Sequence, residues 1–95
     1  MNDYGTPSLI QQAEARIRAR GWRDMGEGVW EHPTTEVQVH VYEGIGGCLC
    51  VRERMHAAAQ WGGRSMTWEI EACMRMVRKA DRDGLARPCM AGWSR

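Results

Sequence analysis

The chain contains no phenylalanine, and only Lys79 among its thirteen basic residues is a lysine. Neither sign of charge is in surplus: thirteen basic against twelve acidic residues leave a formal net charge of +1. Near-neutrality argues against partners that need a strong basic field, namely non-specific nucleic acid and an anionic membrane surface. There is no run of about 18 apolar residues and no basic-then-apolar leader, so neither a membrane span nor a secretory signal is expected, and the expected location is the cytoplasm. Four cysteines in that setting read as reduced thiols and not as a disulfide framework. A phosphate-cradling loop is lacking too, because Gly44-Ile45-Gly46-Gly47 joins two strand-like runs and does not open a helix. No internal repeat and no linker interrupts the chain, and no motif fixes an activity.

What is present centres on residues 36–54, EVQVHVYEGIGGCLCVRER. Val37, Val39 and Val41 alternate with Gln38, His40 and Tyr42. After the glycine turn, Leu49 and Val51 alternate with Cys48, Cys50, Arg52 and Arg54. Strand side chains alternate between faces, so this pattern predicts an antiparallel hairpin with one buried and one wet face. Upstream, Ser8 caps a predicted helix from Leu9 to about Arg20, with Leu9, Ile10, Ala13 and Ile17 on one side and Gly21 ending it. Trp22–Met25 and Val29–His32 read as two short strands around Gly26-Glu27-Gly28. Downstream, Ser65 or Thr67 is expected to cap a second helix whose stripe is Ile70, Cys73, Met74, Val77 and Ala80, and Gly84 to end it.

Ninety-five residues suit one domain, residues 1–95, with a core from about residue 8 to residue 84 and a tail over 85–95. The predicted class is α+β: a two-layer sandwich in the order helix, three- or four-stranded antiparallel sheet, helix, with both helices on the valine face. The other face, carrying Gln38, His40, Tyr42, Cys48, Cys50, Arg52 and Arg54, is then open to solvent or to a partner.

The candidate chemistry is thin. Cys48, Cys50 and His40 share a strand face, and His56 or Cys73 could complete four zinc ligands, but structural zinc sites use two separated ligand pairs. Small apolar fillers are the expected role of these thiols, with no metal and no cofactor. A nucleophilic cysteine would need His40 or His56 beside it and a third orienting group that nothing marks. Asp24, Glu27, Glu31 and Glu36 fall in turns and short strands, where solvated acids are the default. No catalytic set is therefore assigned, and an enzyme is not expected.

The order α-β-β-β-α resembles the double-stranded-RNA-binding domain and the HicA-type mRNA interferase toxins built on that fold. The resemblance covers roughly residues 13–42: a helix ending in Gly21-Trp22, then Gly28-Val29-Trp30-Glu31-His32-Pro33 and a valine-rich strand. Trp30 stands where the toxins carry their catalytic histidine, and Glu69 and Glu71 stand where the RNA-binding domain puts lysines. The resemblance thus implies an RNA-binding scaffold as the second functional reading. A small arginine-rich chain with no catalytic set also resembles phage and prophage accessory proteins. That likeness implies an anti-CRISPR or other anti-defence inhibitor that occupies a host protein's surface in the host cytoplasm. On this first reading, Tyr42, Arg52, Arg54, His40 and Trp61 form the partner-binding set, and a homodimer through the sheet face or an edge strand is the variant within the class.

Overall fold

The computed structural model describes residues 7–85, with side chains to Asp83. Ser8 opens the first helix, α1 (Leu9–Ala19), through a capping box: its hydroxyl accepts the Gln11 N–H, and the Gln11 side chain accepts the Ser8 N–H. Gly21, at φ +89°, turns the chain out of the helix as expected. Five strands follow: β1 (Arg23–Gly26), β2 (Val29–Glu31), β3 (Gln38–Glu43), β4 (Leu49–Arg54) and β5 (Ser65–Thr67). They form one antiparallel meander in the order β1-β2-β3-β4-β5. A second helix, α2 (Ile70–Leu85), closes the described chain.

The sheet thus has one strand more than the three or four predicted. The addition is β5, where the sequence suggested a helix cap at Ser65 or Thr67. Thr67 does both jobs: it pairs with Leu49, and its hydroxyl accepts the Glu69 N–H just before α2. Nor does Gly84 end α2, which runs on to Leu85. The predicted tail beyond that point, including Trp93, lies outside the described residues.

Both helices lie on the valine face. Val37, Val39, Val41, Leu49 and Val51 pack beneath Ala13 and Ile17 of α1 and Cys73, Met74, Val77 and Ala80 of α2. Trp22 and Trp30 complete this core. Gly28 is what lets β2 lie so close to β3: a Cβ there would run into the Val41 carbonyl, and its φ of +80° suits glycine. Ion pairs tie α1 and β1 to their neighbours at the edge of the core. Arg16 pairs with Glu71, Arg18 with Asp24, Arg20 with Asp81, and Arg23 with Glu31.

Candidate functional site: the sheet face away from the helices

On the far side of the sheet the hairpin register sets Gln38 opposite Arg54, His40 opposite Arg52, and Tyr42 opposite Cys50. Directly opposed side chains on one face touch, so these three rungs make a continuous row. His40 stacks on Tyr42 with ring centroids 4.5 Å apart, and Arg52 Nε donates to His40 Nδ1 at 3.1 Å. Arg54 Nε donates to Gln38 Oε1 at 2.9 Å.

Trp61 then folds back over the row. The Gly62 N–H donates to the Glu53 carbonyl at 2.8 Å, which returns the loop after β4 onto its own strand. The indole lies 4.1 Å from the Arg54 guanidinium carbon, 5.0 Å from that of Arg52 and 5.5 Å from the His40 ring. Arg52 also sits 5.4 Å over the Tyr42 ring. All five residues singled out from the sequence, Tyr42, Arg52, Arg54, His40 and Trp61, are therefore brought into one cluster. The expectation of a bare, flat face is corrected. The row is roofed by its own loop, Gln38 is 3% exposed, and Cys48 and Cys50 are each 2% exposed.

The alternating guanidinium and aromatic planes explain why arginine and tryptophan are used here. A guanidinium can lie flat on a ring while its edge still carries hydrogen-bond donors. None of the ion pairs among the described residues includes Arg52, Arg54 or Arg64. Burial, and then the charge of Arg52, hold the His40 imidazole below its ordinary value, which keeps Nδ1 free to accept.

Beyond Tyr42 the surface becomes apolar. Ile45 is 96% exposed on the hairpin tip, Trp68 62% and Met66 58%. A groove of about 430 Å³ runs between Ile45 and Met66, lined also by Tyr42, Cys50 and Arg64. Arg64 lies against the Tyr42 hydroxyl, and Glu43 lines the same groove. Sequence reasoning missed Arg64, Met66, Trp68 and Ile45. No local pattern marked them, because Met66 lies in a three-residue strand and Trp68 just past its end.

Of the residues weighed as zinc ligands with His40, Cys48 and Cys50 lie side by side against Gly44, but His56 and Cys73 do not join them. Cys73 lies in the core on the helix side, and His56 sits in the loop, where its Nδ1 accepts the Ala58 N–H. No group of three or more histidines, cysteines and acids is placed to hold a metal among the described residues. A second histidine, His32, is buried between the end of β2 and α2. Its Nδ1 accepts the Thr34 N–H and its Nε2 faces Asp81 at 3.3 Å, so both ring nitrogens are spent on holding the fold. No helix among the described residues is long and apolar enough to cross a membrane. Compared with protein-family models, with curated proteins and with solved structures, the chain finds no significant match.

Proposed function

We propose that the protein is a non-enzymatic, stoichiometric protein binder that docks its far sheet face onto an acidic, partly apolar patch of a partner. One observation carries this reading: three arginines that take part in none of the ion pairs among the described residues, Arg52, Arg54 and Arg64, share this face, and Arg64 lines the groove that the exposed Ile45 and Met66 flank. On α1 and β1, by contrast, the arginines are matched with acids. Tryptophan, tyrosine, methionine and arginine around a shallow groove are the residues that concentrate interface energy. The partner implied by the likeness to anti-defence accessory proteins is a host protein met in the cytoplasm.

RNA is the weaker fit. Bases bind open sheet faces by stacking on free aromatic rings, but here His40, Tyr42 and Trp61 present their planes to one another and to guanidinium groups. Ile45 and Met66 also offer nothing to a phosphate backbone. Arg78 and Arg82 on α2, with Arg75 one turn earlier, form a second basic surface, but Asp81 lies among them and among the described residues no large apolar side chain is exposed beside them.

The deciding experiment is capture from a host lysate with and without nuclease, repeated with Arg64→Glu and with Trp68→Ala. Both side chains are exposed, so neither change should disturb folding. A protein retained by the wild type after nuclease treatment and lost with both variants supports the reading. Retention that vanishes with nuclease replaces it with nucleic-acid binding. Retention that survives both variants moves the site to the arginines of α2.

A further inference from the structure

The sheet has two edges, and they are defended unequally. β1 carries the devices that keep an edge strand from pairing with another chain. Its register with β2 shifts between Asp24 and Gly26, which breaks the regular run of the strand. Asp24 Oδ1 accepts the Gly26 N–H at 2.9 Å, and Arg23 and Asp24 are engaged with Glu31 and Arg18. β5, at the other edge, has only its shortness to protect it. Ser65, Met66 and Thr67 include no charge and no proline, and they pair with β4 without a break in register. Beyond that ladder, no hydrogen bond among the described residues uses a backbone group of residues 64–68. The backbone groups of β5 that point away from β4 are therefore open to another strand, with the exposed Met66 and Trp68 beside them.

The charges at the two ends of β5 select the strand that fits. Arg64 precedes it and Glu69 follows it just past Trp68; both are exposed, and neither takes part in an ion pair among the described residues. A parallel neighbour of the same sequence would set Arg64 against Arg64 and Glu69 against Glu69. An antiparallel one brings Arg64 of each copy to the Trp68–Glu69 end of the other. Opposite charges, and a guanidinium with an indole, then meet at both ends of the pair.

We propose that β5 is a self-association edge, at which a second copy of this chain pairs its own β5 antiparallel across a two-fold axis through Met66. That register pairs all three residues of the strand, Met66 with its counterpart and Ser65 with Thr67. The contact is isologous, and the edges left free are both β1, so it closes as a dimer and does not grow into a fibre. The axis stands perpendicular to the sheet, so the two five-stranded sheets join into one and both far faces look the same way. So short a strand pair makes a small interface, and the dimer is accordingly reversible and dissociates on dilution. It needs no further partner and does not rest on the protein-binding reading.

The test is sedimentation velocity of the full chain over about a hundredfold range of concentration. The expected result is a monomer that becomes a dimer as concentration rises, with no larger species. Met66→Lys sets two ammonium groups together on the axis and should weaken the dimer by about tenfold or more. Glu69→Lys meets Arg64 of the other copy with a like charge and should weaken it similarly. Combining Arg64→Glu with Glu69→Lys exchanges the two charges and should restore the dimer. All three side chains are exposed, and circular dichroism checks that each variant stays folded. The exchanged protein still lacks Arg64, so a dimer that returns while lysate capture stays lost separates this proposal from the protein-binding reading. A chain that is monomeric at every concentration overturns the proposal. So does a dimer indifferent to Met66→Lys and Glu69→Lys, which would place the contact on another surface. A charge exchange that fails to restore what Glu69→Lys removes overturns it too. So does a monomer whose β5 amides gain exchange protection only with a captured protein, which would give the edge to that protein.

Discussion

Val37, Val39, Val41, Leu49 and Val51 fill one face of the sheet and meet two helices, while Gln38, His40, Tyr42, Cys50, Arg52 and Arg54 fill the other and meet a single ten-residue loop. Both faces are built on the same strands and both are largely shielded from water. They achieve it differently. The helix face uses branched aliphatic side chains with no polar atoms to satisfy, so its stability comes from apolar area removed from water. The far face uses amphipathic side chains, which cover its interior with ring planes and aliphatic stems and still leave charged edges outside. The contrast teaches that shielding a β-surface does not make it inert. A face closed by arginine and tryptophan remains able to recognise something.

The largest effect separating the faces is a buried charge. Val39→Asp or Val77→Asp places an uncompensated carboxylate in the core, and each should unfold the protein, given total stabilities of about 5–15 kcal/mol. Arg64→Asp, the same new carboxylate on the other side of the sheet, should leave the melting temperature near wild type. Circular-dichroism melts of the three proteins check this, and a wild-type melt for Val39→Asp would mean the faces are assigned the wrong way round.

A smaller effect tests the roof. Trp61→Ala removes the ring on which Arg52 and Arg54 lie and opens the row to water. Cation–π contacts contribute about 0.5–2 kcal/mol each depending on desolvation, so a loss of about 1–2 kcal/mol is expected. For a chain of this size that lowers the melting temperature by about 4–8 °C per kcal/mol. Trp68→Ala, by contrast, should stay within about 0.5 kcal/mol of wild type because its ring covers nothing of comparable burial. If the two variants melt alike, Trp61 does not roof the face in solution.

Charge reversal at the row itself falls between these. Arg54 is not a free surface cation, because its Nε is the donor to the nearly inaccessible Gln38 side chain. Arg54→Glu would put two acceptors together there and should cost about 1–3 kcal/mol, whereas Arg64→Glu should cost almost nothing. Urea melts of the two variants distinguish them. Arg64→Glu is therefore the cleaner probe of partner capture, and the salt dependence of capture should weaken with it.

Much of this was legible in the chain and some was not, for physical reasons. Ser8, Gln11 and Gly21 mark α1 because capping is a local event. The hairpin is legible because a period of two over six residues on each side of a glycine turn admits few other readings. The strand β5 escaped because three residues carry no periodicity, and Ser65 and Thr67 are equally good cap residues. The cluster residues could be chosen from alternation alone, but the position of Trp61 could not. It depends on a backbone bond from Gly62 to Glu53, nine residues apart in sequence, which no local pattern announces. The same lack of local pattern hid Arg64 and Met66, whose neighbours are set by pairing with β4.

The finest difference between the faces is that the far one contains a titratable core. His40 Nδ1 accepts from Arg52, so the folded state requires the neutral imidazole. Burial and then Arg52 hold its pKa below the ordinary 6.5, Arg54 adding to the shift and the Glu27 carbonyl and carboxylate opposing it. The unfolded chain therefore takes up this proton first as the pH falls. The contribution of His40 to stability is fully present above about pH 6.5, is lost progressively as the pH drops toward the folded-state value, and changes no further below it. His40→Gln retains an acceptor for Arg52 and cannot titrate. Melting temperatures of wild type and variant, measured from pH 8 to about pH 5, should run parallel at the alkaline end and separate on acidification, wild type falling faster. Acids elsewhere titrate in both proteins and cancel in the difference. A wild type that gains on the variant as the pH falls would mean that His40 is charged in the folded protein, with Arg52 turned away from it and the row held together by its aromatic planes alone.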